Sequence, residues 1–441
     1  MGVNKLLRFF EHDRLSFSME YPLLGSEIGR NFVFENDSKY KSALSKFYEA
    51  GGNYYYSLEH NGIKFKQFVG AIQIHDLTIE ILPKVDRDTI GENELWHGVL
   101  IDMLKACKKI TPRSNQTASL NLKSNSILEL YLELYIEELE YLFHVGLIKK
   151  YVKQEGNLTA LKGALLFGKH IHKNLVHAER FYTRHTIYSH SHILHQVLKQ
   201  ALGICEKLSS SYRLTDRIKR LLLVWPEHKE VRIDLALFEK FNRDRKIIHY
   251  KEALYIAKLL LTNFRPDICG GNENVLALLF NMNTLWEEFV YRRLKECADK
   301  FGFEVYQQTK VDFWNSTTST KTVKPDLVMV GRGQTIVIDT KWKQPDEDWP
   351  QDNDLKQMLV YKLYYHADEA ILLYPNVSNS YCTDGYFNNE LHYTTSVQNT
   401  FAISDKLNLG CKMGFLNVIE NKHLVDEEAF FKNIKIALDI Q

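Results

Sequence analysis

Along the first hundred residues, apolar and polar positions alternate at the two-residue period of β-strands. The run Tyr54-Tyr55-Tyr56-Ser57-Leu58 leads to a polar turn, His60-Asn61-Gly62. Ile63, Phe65 and Phe68-Val69 follow, then Ala71-Ile72-Gln73-Ile74, a His75-Asp76 turn, and the alternating Leu77, Ile79 and Ile81 before Pro83. Asn-Gly between apolar runs is a strong short-range hairpin signal. Over 95–109, and again over 126–145, the period becomes that of a helix. In the second stretch Ile127, Leu130, Tyr131, Leu134 and Leu142 recur at three- and four-residue steps. Glu129, Glu133, Glu137 and Glu140 take the outer face, and Gly146 is placed to cap the end. Alternation with turns returns over 147–167, and further helices are expected at 191–209 and 251–261.

The stretch 266–272 (P-D-I-C-G-G-N) has a proline, two glycines and no periodicity, and so reads as a linker. After it the pattern predicts a helix over about 274–300, strands over 303–312, 326–330 and 335–340, a helix over about 353–366 and a strand over 370–374. The expected architecture is therefore a multidomain α+β or α/β chain. A β-rich region (1–120) and a mainly helical middle (121–268) precede a C-terminal mixed α/β layer (272–441). A length of 441 residues is enough for two or three domains, each with its own core.

Composition narrows the class. Charged residues make up 25% and the formal net charge is +1, so contact with nucleic acid must come from local patches and not from a global basic field. Six cysteines are scattered without C-x-x-C pairs, which argues against a disulfide framework or zinc finger and for a reducing cytoplasm. The apolar run near the N-terminus is too short for a signal peptide. No stretch approaches the roughly 18 apolar residues of a membrane span, so no membrane is expected as a partner.

The candidate chemistry lies in 324–342, K-P-D-L-V-M-V-G-R-G-Q-T-I-V-I-D-T-K-W. Two apolar runs flank the tight turn Gly331-Arg332-Gly333, so Asp326 opens one strand of a hairpin and Asp339 closes the other. Lys341 lies two residues beyond Asp339, on the same face. Two carboxylates and an ammonium at one spot suit a Mg²⁺-dependent phosphodiesterase. A lone D-x-K is weak evidence, but neighbouring features add to it. The strand before Asp339 is wholly apolar, and Gln357 and Tyr361 sit four apart on an expected helix, hence on one face. Upstream, Leu285, Trp286, Phe289, Val290 and Leu294 sweep one arc of a helix. Glu287 falls at the rim of that arc, and Glu288 points to solvent, four residues before Arg292.

Taken together, Glu287, Asp326, Asp339-Thr340-Lys341 and Gln357-x-x-x-Tyr361 resemble the PD-(D/E)xK nuclease superfamily. The resemblance implies that Asp326, Asp339, the Thr340 carbonyl and Glu287 hold one or two Mg²⁺. It gives Lys341 the water or the developing phosphate charge, and has Gln357 and Tyr361 contact DNA or brace the site. The succession of 59–84, 161–171, 241–246 and 282–290 further resembles the McrC family, nuclease subunits of McrBC-type restriction systems that serve in antiphage defence. What this implies is a partner: an McrB-like AAA+ GTPase that binds the GTP, recognises modified double-stranded DNA, commonly methylated, and is stimulated by its nuclease subunit.

Consistent with that dependence, the nearest match to a P-loop, Gly163 to Gly168-Lys169-His170, has His where the motif needs a hydroxyl. Arg243 and Arg245 are candidates for a cation given in trans to the partner's GTP. Seven of 17 histidines fall between His170 and His195, where packing or surface roles are expected in place of a metal site. Two other readings stay open at this point: a degenerate nuclease domain acting as scaffold and GTPase activator, and a stand-alone nuclease of repair or resolvase type.

Overall fold

In the computed structural model the apolar runs on either side of Arg332-Gly333 pair antiparallel, Leu327–Gly331 against Gln334–Thr340. Leu327 stands opposite Ile338 and Gly331 opposite Gln334. The loop is thus two residues, Arg332 and Gly333, both at positive φ (52° and 75°), the backbone of a type I′ hairpin turn. Gly331 serves a different end: a Cβ there would sit 2.3 Å from the Gly302 carbonyl oxygen.

The structure describes residues 5–23, 31–34, 38–85, 92–111, 126–177, 179–190, 192–209, 211–226, 235–242, 245–265, 275–345, 349–376, 382–387, 390–391, 401–402 and 410–439. The linker expected at 266–272 lies outside them. The chain forms two compact units, one of residues 1–5, 72–78 and 112–278, the other of 6–71, 79–111 and 279–441. Each is assembled from separated segments, whereas the boundaries read from sequence cut three consecutive stretches.

The second unit carries a six-stranded sheet in the order Phe303–Gln307, Leu327–Gly331, Gln334–Thr340, Glu369–Asn376, Gly410–Asn417, Thr383–Tyr386. The first three strands are antiparallel, the next two steps are parallel, and the last strand returns antiparallel. Parallel neighbours need a crossover, which the helix Asp352–Tyr365 supplies between Gln334–Thr340 and Glu369–Asn376. Ile336, Val337 and Ile338 are all buried, because helices cover both faces of this strand. Val337 joins a core with Val328, Met358, Tyr361, Leu372 and Tyr374. The helix Met282–Phe301 packs against Gln334–Thr340 and Phe303–Gln307.

Two expectations in this unit need correction. Residues Val275–Asn281 are a strand, not the first turns of a helix. The run V-L-A-L-L-F is uniformly apolar, so it carries no period to tell strand from buried helix. The helix begins only where the Asn281 side chain accepts a hydrogen bond from Thr284 N (3.2 Å). The strand expected over 303–312 stops at Gln307. Gln308 follows at φ 51°, and Val311–Asn315 then pairs with Thr320–Val323 as a separate two-stranded sheet.

The expected N-terminal hairpins form, with Tyr56–Glu59 on Gly62–Phe65 and the strands Phe68–Ile74 and Leu77–Leu82 beyond. The helix expected at 95–109 spans Asn93–Ala106. The first unit contains helices Ile127–Val145, Ile193–Leu208, Tyr212–Val224 and Lys251–Asn263, together with the long hairpin Lys150–Leu158 on Phe181–Ser189. Ser126 caps the first of these through Glu129 N (3.2 Å), and Glu129, Glu133, Glu137 and Glu140 lie on its less buried face, as the pattern predicts.

Gly331→Ala forces a backbone oxygen aside and is expected to lower stability by about 1–3 kcal/mol. Gly333→Ala meets nothing within 4 Å and bears only the positive-φ strain, roughly 1–2 kcal/mol. Thermal melts of the two variants should rank Gly331→Ala as the less stable; the reverse order would contradict this account of the turn.

Candidate active site

Asp326 immediately precedes the first hairpin strand and Thr340 ends the second, so the register sets them side by side. The Thr340 backbone N–H (2.7 Å) and hydroxyl (2.9 Å) both donate to Asp326 Oδ2. This pair of charge-assisted bonds fixes the Asp326 carboxylate at the strand end. Asp339, one residue earlier, is only 2% exposed. Burial, and then the nearby charge of Asp326, push its carboxyl up to about 7. Burial also raises Asp326, outweighing its bonds from Thr340.

Lys341 reaches back along the same face as expected, with Nζ 2.7 Å from Asp339 Oδ2 and 3.2 Å from Asp354 Oδ1. Burial works against its charge, but the two carboxylates outweigh that and hold the ammonium above its ordinary range. Its backbone N–H donates to Leu373 O (2.9 Å), which anchors the residue to the parallel neighbour strand. The helix Asp352–Tyr365 then closes the site. Gln357 Nε2 donates to Asp339 Oδ1 (3.3 Å) and to Tyr361 Oη (2.5 Å), and Gln357 Oε1 accepts from Lys341 Nζ (3.4 Å). Tyr361 Oη donates to the Lys324 carbonyl (3.0 Å), two residues before Asp326. One side-chain chain thus links both strands of the hairpin to one helix face.

Glu287 is buried and faces this cluster: burial first, and then the charge of Asp326, raise its carboxyl. Its Oε1 accepts from Gln308 Nε2 (2.7 Å) and Gln307 Nε2 (3.3 Å). Glu288 pairs with Arg292 (2.7 Å), as the helix geometry predicts, but it does not project into solvent: its side chain is only 18% exposed, because it also pairs with Lys109 (2.8 Å). Burial opposes its ionisation, yet Lys109 and Arg292 bring its carboxyl below the usual range.

Two participants went unread in the sequence. Asp354 is buried between Lys341 and Lys343 (2.9 Å), three residues before Gln357 on the same helix face. The spacing Asp354, Gln357, Tyr361 was the available signal. Glu11 is 1% exposed, and its Oε1 accepts from Trp342 Nε1 (2.5 Å) and from Lys84 N (2.9 Å). Nothing local in the sequence announces that contact, which spans 331 positions. Burial raises the Glu11 carboxyl to about 7.

Arg243 lies outside the described residues, and Arg245 begins the short helix Arg245–Tyr250. In the P-loop lookalike, Lys169 pairs with Glu155 (2.6 Å). Gly163 is there for packing, since a Cβ would lie 2.3 Å from Arg184 O. Of the histidines, His195 is buried with Nδ1 2.8 Å from His190 O and Nε2 3.2 Å from Tyr250 Oη, and His192 caps the following helix through Leu194 N (3.1 Å).

Among the described residues, no three His, Cys, Asp or Glu side chains form a group able to hold a metal ion. The donor set present is Asp326 and Asp339, two hard carboxylates, next to the Thr340 carbonyl. That set fits Mg²⁺, which binds through one or two carboxylates and retains much of its water. No described helix is long and apolar enough to cross a membrane.

A family model described as McrBC 5-methylcytosine restriction system component matches residues 63–375. No curated protein matches the chain. Among solved structures, the refined half-complex from a tetradecameric assembly of Thermococcus gammatolerans McrB AAA+ hexamers with bound McrC contains a similar chain. The TM-score is 0.69 at 17% identity, over 98% of this chain and 99% of that one. The T. gammatolerans McrBC complex solved by cryo-EM matches 66% of this chain and 87% of that one, with a TM-score of 0.49 at 17% identity.

Proposed function

Because the chain belongs to the McrBC 5-methylcytosine restriction system component family, we propose that it is the DNA endonuclease subunit of a modification-dependent restriction complex driven by GTP. The observation that carries the reading is the convergence of Asp326, Asp339 and Lys341 at one end of a buried hairpin, braced by Gln357 and Tyr361. Asp326, Asp339 and the Thr340 carbonyl would hold Mg²⁺, with Glu287 beside them. The ion supplies an acidified water and charge neutralisation at the phosphate. Lys341, kept protonated by its two carboxylate neighbours, stabilises the negative charge that develops on the phosphate oxygens. Gln357 orients Asp339, and Tyr361 holds the strand that carries Asp326. Asp354 positions Lys341 through its ion pair.

The substrate in this reading is double-stranded DNA, commonly methylated. The partner is an McrB-like AAA+ GTPase, which binds the GTP and is stimulated by this chain. Support for the partner comes from the shared fold with a chain described as McrC bound to McrB AAA+ hexamers. Arg243 and Arg245 are the cations proposed to reach the partner's GTP.

Asp339→Ala should lower Mg²⁺-dependent cleavage by the assembled complex by about 10³-fold or more, while GTPase stimulation persists. Undiminished cleavage would refute the nuclease reading and leave a scaffold and GTPase activator. Asp354→Asn should lower the melting temperature, since two ion pairs are lost, and at temperatures where the variant is folded should still slow cleavage by about 10-fold or more and shift its pH profile. A normal profile would make Asp354 purely structural. Charge reversal at Arg243 should reduce the stimulated GTPase rate by roughly 10³-fold if this residue is the finger; full stimulation would transfer the role to Arg245 or abolish it.

A further inference from the structure

The separate hairpin Val311–Asn315 and Thr320–Val323 adds nothing to the six-stranded sheet, and most of its residues are exposed. A free two-stranded hairpin is marginal in water, yet this one is braced on the helix that closes the candidate site. The Phe313 ring meets Tyr364 edge-on at 5.4 Å, and Tyr365 Oη donates to Thr309 O (2.7 Å). At the tip, Ser316 Oγ accepts from Ser319 N (2.9 Å), and Ser316 N donates to Ser319 O (2.8 Å). The hairpin is therefore a stiff arm, held from both ends.

Its chemistry is that of a surface meant for a polyanion. The register slips between Asp312 and Trp314, a bulge that sets the half-exposed Trp314 directly across from Lys321. Bulges re-aim side chains and recur beside active sites. Lys310, Lys321, Lys324 and Lys356 stand on or beside the arm against Asp312 and Asp352, an excess of positive charge in a chain that is nearly neutral overall. At the base of the arm a cleft of about 420 Å³ is lined by Thr322, Val323, Lys324 and Lys356 and by Gln357 and Tyr361 of the candidate site. The basic surface and the catalytic cluster are thus continuous.

We propose that the hairpin 311–323 is a DNA-binding arm that grips the duplex beside the phosphate to be cut. Lys321, Lys324 and Lys356 meet backbone phosphates, and Trp314 lies against the sugars and base edges of a groove. Phosphate contacts set position and register on a duplex, so the arm places the scissile bond at Asp326 and Asp339. This rests on the nuclease reading above for what happens at the cluster, but the arm's contact with DNA is measurable without any cleavage.

The test is binding of the full-length chain, with and without its AAA+ partner, to a fluorescein-labelled methylated duplex, with Ca²⁺ replacing Mg²⁺. Trp314→Ala should weaken binding about 5- to 20-fold. Lys321→Glu should weaken it about 10-fold and flatten the salt dependence. Both positions are exposed, and unchanged melting temperatures would confirm intact folding. Loss of affinity in both variants supports the arm even if the wild-type chain never cuts, a result that would retire only the nuclease reading. Wild-type affinity and salt slope in both variants overturn it while leaving cleavage untouched. So does a wild-type chain that fails to bind the duplex in either setting. Loss of assembly with the AAA+ partner at undiminished DNA affinity would also overturn it, making the arm a protein-docking surface.

Discussion

Everything at the candidate site depends on keeping two acids together where water would separate them. Asp326 and Asp339 are both buried enough that their neutral forms gain ground, and the charge of one raises the other. The hairpin holds them there because the Thr340 N–H and hydroxyl both donate to Asp326. Hydrogen bonds to a charged group are worth about 1.5–3 kcal/mol each, enough to offset part of the desolvation cost. Lys341 and Gln357 engage Asp339 in the same way. A cluster so arranged is short of positive charge, which is the electrostatic basis for reading it as a place for a divalent cation and a phosphate.

The helix Asp352–Tyr365 performs two tasks along one face. Asp354, Gln357 and Tyr361 address the cluster. Tyr364 and Tyr365 brace the exposed hairpin. Because a helix is rigid over this length, the candidate site and the exposed hairpin are held on one rigid element. The parallel step in the sheet accounts for the presence of this segment, since two parallel strands cannot be joined without a crossover.

Much of the stretch 282–365 was legible in the chain. The hairpin turn, the pairing of Asp339 with Lys341, the helix face shared by Gln357 and Tyr361, and the inward turn of Glu287 all follow from short-range periodicity. The misreadings have separate local causes. Residues 275–280 are uniformly apolar, so no period distinguishes strand from helix, and only the capping by Asn281 marks the change. The early end of the strand at Gln307 turns on a single left-handed residue, Gln308. Asp354 was missed because a carboxylate in the first turn of a helix is ordinary, until two lysines are seen to converge on it.

By itself, then, the sequence determined which residues can share a face or a hairpin end, because periods of two and 3.6 are properties of the local backbone. From those local sets came the candidate chemistry and the family. The tertiary structure alone decided which separate sets meet. It brought Glu287 up to Asp326 across 39 positions of chain, set Asp354 against Lys341, and joined Glu11 to Trp342 across 331 positions. Such contacts are fixed by how buried faces pack. No local pattern encodes them, since each partner would look the same beside any other surface of fitting shape and charge.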